Sequence, residues 1–104
     1  MTSKELRIGN YILQDSEEIH GIVGLTIYKF SIGQIILEPI PITKEWLLKF
    51  GFEYNDISGE YKGHNMIFFS RISYITWGTT KIYYVHQLQN LYFALTGEEL
   101  IIKK

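Results

Sequence analysis

The order of apolar and polar side chains predicts strands first, a capped helix in the middle, hairpins after it and a second helix near the end. Leu6 to Leu13 reads Leu-Arg-Ile-Gly-Asn-Tyr-Ile-Leu. This run of strand formers, interrupted by Gly9-Asn10, predicts a first strand with a bulge or tight bend. Asp15 to His20 is polar and reads as a turn. From Gly21 to Phe30 the chain alternates, with Val23, Leu25 and Ile27 on one face and Thr26, Tyr28 and Phe30 on the other, which predicts a second strand. Ser31-Ile32-Gly33 breaks that run, and Gln34 to Glu38 reads as a third strand stopping before Pro39, which has no N–H for a ladder. Three such strands predict a meander or a partial barrel.

Thr43 is a good N-cap, and Ile42 before it is placed to pack on Leu47 as a hydrophobic staple, so a helix is predicted over Thr43 to Phe50. Gly51 stands where a left-handed residue ends a helix, with Phe52 beyond it for the apolar contact of a Schellman stop. Turn signals at Asn55 to Gly59, Lys62 to Asn65 and Gly78 to Thr80 then separate strands at Glu60 to Lys62, Met66 to Ser70, Ile72 to Trp77 and Lys81 to Val85. Val85, Leu88, Leu91, Tyr92 and Leu95 recur at helical spacing up to Gly97, leaving His86, Gln87, Gln89 and Asn90 on the polar side. Leu100-Ile101-Ile102 is a short apolar segment suited to closing a sheet edge or pinning the tail, with Lys103 and Lys104 fraying after it. The expected fold class is α+β: a small antiparallel sheet or partial barrel of hairpins with two short helices packed on it. One compact domain over residues 1–104 is expected, since a chain of this length buries about two thirds of its surface on folding.

Composition changes this picture little. The chain is 46% apolar and 20% charged, with eight Tyr and six Phe, so a packed core is expected, with some tyrosine tips reaching water or a partner. Ten Lys+Arg against eleven Asp+Glu leave a formal charge of −1, which disfavours binding duplexes through phosphates. There is no Cys, which removes thiolate metal sites, disulfides and a thiol nucleophile together and suits a reducing compartment. No run approaches the ~20 apolar residues of a membrane span, and the start lacks a signal-peptide pattern, so a cytoplasmic protein without membrane contact is expected.

Candidate chemistry is sparse. His20, His64 and His86 are scattered without the i,i+3 or i,i+4 pairing that puts two ligands on one helical face, so no metal site is expected. Glu17-Glu18 and Glu98-Glu99 are adjacent carboxylates that point apart rather than forming an acid and base pair. Nucleophile elbows and glycine-rich phosphate loops are absent, so neither a catalytic site nor a cofactor is expected. The feature that stands out is the hairpin carrying Tyr74, Trp77, Tyr83 and Tyr84 beside Lys81 and Arg71. Tyr83 and Tyr84 are neighbours on one strand and must face opposite ways. Such residues suit a protein interface, with Trp77 and Tyr83 as anchors and His86, Gln89 and Asn90 as hydrogen-bonding groups. The alternative is a single-stranded nucleic-acid surface that stacks bases on some of the rings.

Two segments carry a resemblance. They are Glu-Pro-Ile-Pro-Ile-Thr-Lys-Glu-Trp-Leu-Leu-Lys-Phe-Gly-Phe at 38–52 and Tyr-Val-His-Gln-Leu-Gln-Asn-Leu-Tyr-Phe-Ala-Leu-Thr-Gly-Glu-Glu-Leu at 84–100, together about a third of the chain. With the opening Leu6-Arg7-Ile8-Gly9-Asn10-Tyr11-Ile12, the chain resembles a family of small, functionally uncharacterised proteins of bacterial phages and mobile elements. That resemblance implies a genomic setting and brings no catalytic residues. By analogy it points to a non-catalytic binder of a host protein, such as an inhibitor of a host defence protein.

Overall fold

The structure, a computed structural model, describes residues 1–103. Among these residues it is an α+β fold with three α-helices and two antiparallel sheets, one of three strands and one of five. The residues group into two compact units, one formed by Met1–Ile40 with Tyr84–Glu99, the other by Pro41–Tyr83 with the segment from Leu100. No helix among the described residues is long and apolar enough to cross a membrane.

In the first unit, a 3-10 turn at Ser3–Glu5 leads to β1 (Tyr11–Gln14), β2 (Glu17–His20), α1 (Gly24–Ser31) and β3 (Leu37–Glu38), and α3 (Val85–Thr96) returns to it later in the chain. The sheet order is β2-β1-β3. The predicted polar turn at Asp15 to His20 is only two residues long. Asp15 and Ser16 both have positive φ, at 51° and 68°, the conformation of a tight hairpin turn whose twist suits the flanking strands. Glu17 to His20 then pairs with β1, from Gln14↔Glu17 to Tyr11↔His20. Its polarity made it look like a loop, but an edge strand tolerates charge and is protected by it.

The predicted strand at Gly21 to Phe30 is instead α1. Ile27 and Phe30, three residues apart, both pack on the core of Leu6, Ile12, Ile22 and Leu37, which a helix allows and a strand, with its period of two, does not. The stop is a Schellman motif: Gly33 has φ +79°, its N–H donates to Phe30 O, and Gln34 N–H donates to Lys29 O. The alternation of apolar residues pointed to a strand, and the core contacts overrode it. Helix α3 runs as predicted and stops at Gly97, in the left-handed region with φ 74°.

In the second unit, α2 (Lys44–Lys49) has both predicted ends. Thr43 Oγ1 accepts from Trp46 N–H at 3.3 Å, while Gly51 and Phe52 N–H close back on Leu48 and Leu47 carbonyls. The strands β4 (Glu53–Asn55), β5 (Glu60–Gly63), β6 (Met66–Ser70), β7 (Ile75–Trp77) and β8 (Thr80–Ile82) form a meander in chain order. His64 and Asn65, with φ 49° and 61°, make the β5–β6 turn, and Gly78, with φ 60°, opens the β7–β8 turn. One face of this sheet is buried, carrying Tyr61, Met66, Phe68, Ile75 and Ile82. The described tail, Leu100 to Lys103, forms no strand; Leu100 is buried and Lys103 N–H donates to Lys49 O at 2.7 Å. Lys104 lies outside the described residues.

Candidate functional site

The polar side of α3 does not face water as its sequence suggests. His86 and Gln89 are buried, at 1% and 0% exposure, and Asn90 is half-buried. Gln89 and Asn90 are occupied in tying α3 to the segment before β1. Gln89 Oε1 accepts from Tyr11 N–H at 2.7 Å and its Nε2 donates to Gly9 O at 3.3 Å. Asn90 Oδ1 accepts from Asn10 Nδ2 at 2.8 Å and from Arg7 Nε at 3.2 Å, while its own amide donates to Glu5 O at 2.8 Å. Arg7 also pairs with Glu99 and lies 4.1 Å over the Phe93 ring. The stretch Leu6-Arg7-Ile8-Gly9-Asn10-Tyr11-Ile12 and the helix carrying Gln89 and Asn90 thus meet through one hydrogen-bonded network within the first unit.

His86 differs from its neighbours. Neither ring nitrogen makes a hydrogen bond, and Glu5 Oε1 lies 3.6 Å from Nε2, close enough for an ion pair when the ring is charged. Burial holds the His86 pKa below the ordinary imidazole value, and the Glu5 carboxylate opposes that effect in part. The Glu5 carboxyl is lowered, chiefly because it accepts the Thr2 N–H at 2.8 Å. Among the described residues no group of three or more His, Asp and Glu side chains gathers to hold a metal ion.

The exposed chemistry lies on the outer face of the five-stranded sheet. Register places Glu53, Lys62 and Ile67 in one cross-strand row and Glu60, Phe69, Thr76 and Lys81 in the next. Strand alternation turns these residues away from the buried face. Ile67, Phe69 and Tyr83 are 46%, 42% and 38% exposed. At the end of this face the Tyr74 and Tyr83 rings lie 5.0 Å apart, with Lys81 Nζ 5.5 Å from the Tyr74 centroid. Of the ring set singled out in sequence, Tyr74 and Tyr83 therefore share a face. Trp77, half-buried and two residues from Ile75 on β7, shares the buried face with it, and Tyr84 belongs to the other unit as the N-cap of α3.

Sequence reasoning missed Ile67 and Phe69. The signal was present in Met66-Ile67-Phe68-Phe69, a continuous apolar run that supplies apolar groups to both faces of one strand. No family model matches the chain, and neither a curated protein nor a solved structure matches it.

Proposed function

We propose that this protein is a non-catalytic protein-binding module of the kind carried by phages and mobile elements, acting by contact on a host protein, with a host defence protein as the favoured class of target. The observation that carries this reading is the outer sheet face, where Ile67, Phe69, Tyr74 and Tyr83 stand among Lys62, Lys81, Glu53 and Glu60. Exposed aromatic side chains within a mixed-charge surround suit a protein interface, where a few rings act as anchors. Tyr83 keeps the anchor role expected of it. His86 and Gln89 are enclosed and support the fold rather than the contact.

The second reading is a single-stranded nucleic-acid surface, favoured by the Tyr74–Tyr83 pair with Lys81 beside it. Base stacking needs such rings, but a strand-binding groove is also distinctly basic. Here two glutamates accompany two lysines on the same face, so the protein reading is preferred.

The test compares capture from bacterial host lysate by the wild-type chain and by a Phe69→Asp/Tyr83→Ala variant, followed by titration of the recovered protein. The expected result is one partner whose affinity falls about 30-fold or more in the variant, the loss of a typical anchor. Equal binding by both forms, or no specific partner, would refute the reading. Salt-sensitive binding to short single-stranded RNA or DNA, lost in the same variant, would replace it with the second.

A further inference from the structure

Helix α1 carries apolar side chains on two opposite sides. Ile27 and Phe30 pack on the core of the first unit. Leu25, Tyr28 and Ile32, at spacings of three and four residues, form a second stripe that is 60%, 59% and 48% exposed. Ile8 extends it, since its Cδ1 lies 3.7 Å from where a Cβ on Gly24 would sit. Ile8 is 63% exposed. A helix apolar on both sides is ordinarily covered on both.

We propose that α1 is the contact between two copies of this chain, which pair across a two-fold axis through the stripe of Leu25, Tyr28 and Ile32 with Ile8. These four residues leave about 500 Å² exposed, backbone and the Tyr28 hydroxyl included, against about 300–600 Å² for the largest apolar patch on a typical monomer. That is about three fifths of the ~800 Å² that each partner buries in a standard interface, leaving the remainder to a polar rim. Charge does not oppose self-pairing. Lys29 is the only charged residue of α1, and the net charge of each chain is −1. A short stripe centred on one residue is also self-complementary: antiparallel packing about Tyr28 sets Leu25 of each copy near Ile32 of the other.

Sedimentation over a concentration series from low micromolar to submillimolar tests this. The weight-average mass should rise from the 12.2 kDa of one chain toward twice that value. Leu25→Glu should weaken pairing about 100-fold by placing a carboxylate in the apolar stripe. Leu25 is exposed, so circular dichroism should show this variant folded. A second measurement does not depend on that variant: the chain has no cysteine, so Tyr28→Cys supplies the sole thiol. Mild oxidation should yield a covalent dimer, whereas Ser58→Cys, on an exposed turn of the other unit, should not. Monomer mass at every concentration overturns the proposal. So does a dimer that persists in Leu25→Glu and gives no Tyr28→Cys cross-link.

Discussion

Replacing Gln89 separates a surface position from an interior one. Read from sequence, Gln89 lies on the polar side of a helix, and a surface substitution there changes stability by no more than about 0.5 kcal/mol. In the structure it is fully buried and holds two backbone groups, Tyr11 N–H at 2.7 Å and Gly9 O at 3.3 Å. Gln89→Leu keeps most of the volume and removes both hydrogen bonds. Each backbone group stranded out of water costs about 1–3 kcal/mol, partly offset by the apolar replacement, so a net loss of about 3 kcal/mol is expected. With a urea slope of about 1–3 kcal/mol/M for a chain of this size, the midpoint should fall by about 1–3 M. Equilibrium urea unfolding followed by circular dichroism measures it. A midpoint unchanged within the equivalent of about 0.5 kcal/mol would show that the network does not hold α3 to the segment before β1.

Two further outcomes follow from named contacts. His86 has a folded pKa depressed by burial from its ordinary value of 6.5. Its contribution to stability is therefore complete above pH 6.5 and is lost as pH falls below that value toward the folded pKa, because the unfolded chain takes up the proton first. The lowered Glu5 carboxyl acts separately, in the acid range below its ordinary 4.5. Urea midpoints measured between pH 8 and pH 5 should fall in the wild type and flatten in His86→Phe, and equal slopes in the two would sink this account. Gly63→Ala should cost about 1–3 kcal/mol by overpacking, since its Cβ would lie 3.0 Å from Phe52 Cδ1 and 3.1 Å from Gly51 O. Gly24→Ala, whose Cβ meets only Ile8 at 3.7 Å, should be neutral or stabilising by up to about 1 kcal/mol, as glycine is a poor helix former. Thermal unfolding of the two variants should rank them in that order.

Much of the fold was legible where a local interaction specifies structure. The Thr43 cap and Gly51 stop bound α2 in sequence and in space, because each is a contact between residues a few positions apart. Gly97 ended α3 for the same reason. Strand β6 matched its predicted bounds, β5, β7 and β8 lay within a few residues of theirs, and β4 was not foreseen. The errors fell where local signals were ambiguous. In α1, apolar residues at alternate positions also offered Ile27 and Phe30 at a helical spacing, and only the presence of Leu6, Ile12, Ile22 and Leu37 beneath them decided between the two. In β2, a polar run became a strand because β1 supplied a partner in register.

The candidate site followed the same division. In sequence Tyr83 and Tyr84 read as neighbours on one strand facing opposite ways, but β8 ends at Ile82 and Tyr84 caps α3 in the other unit. Which rings share a face required the register of β6, β7 and β8, which added Phe69 to the set and turned Trp77 to the other side. The polar residues of α3 show the limit most clearly. Periodicity separates polar from apolar sides of a helix, but hydrogen-bonding side chains serve equally well toward water or toward the backbone of another segment. The N–H of Tyr11 and the carbonyl of Gly9, nearly eighty residues away, brought Gln89 inside. Local sequence determined the helix ends that a cap or a glycine stop marks. Tertiary structure decided which polar groups would be enclosed, because burial depends on partners that sequence distance conceals.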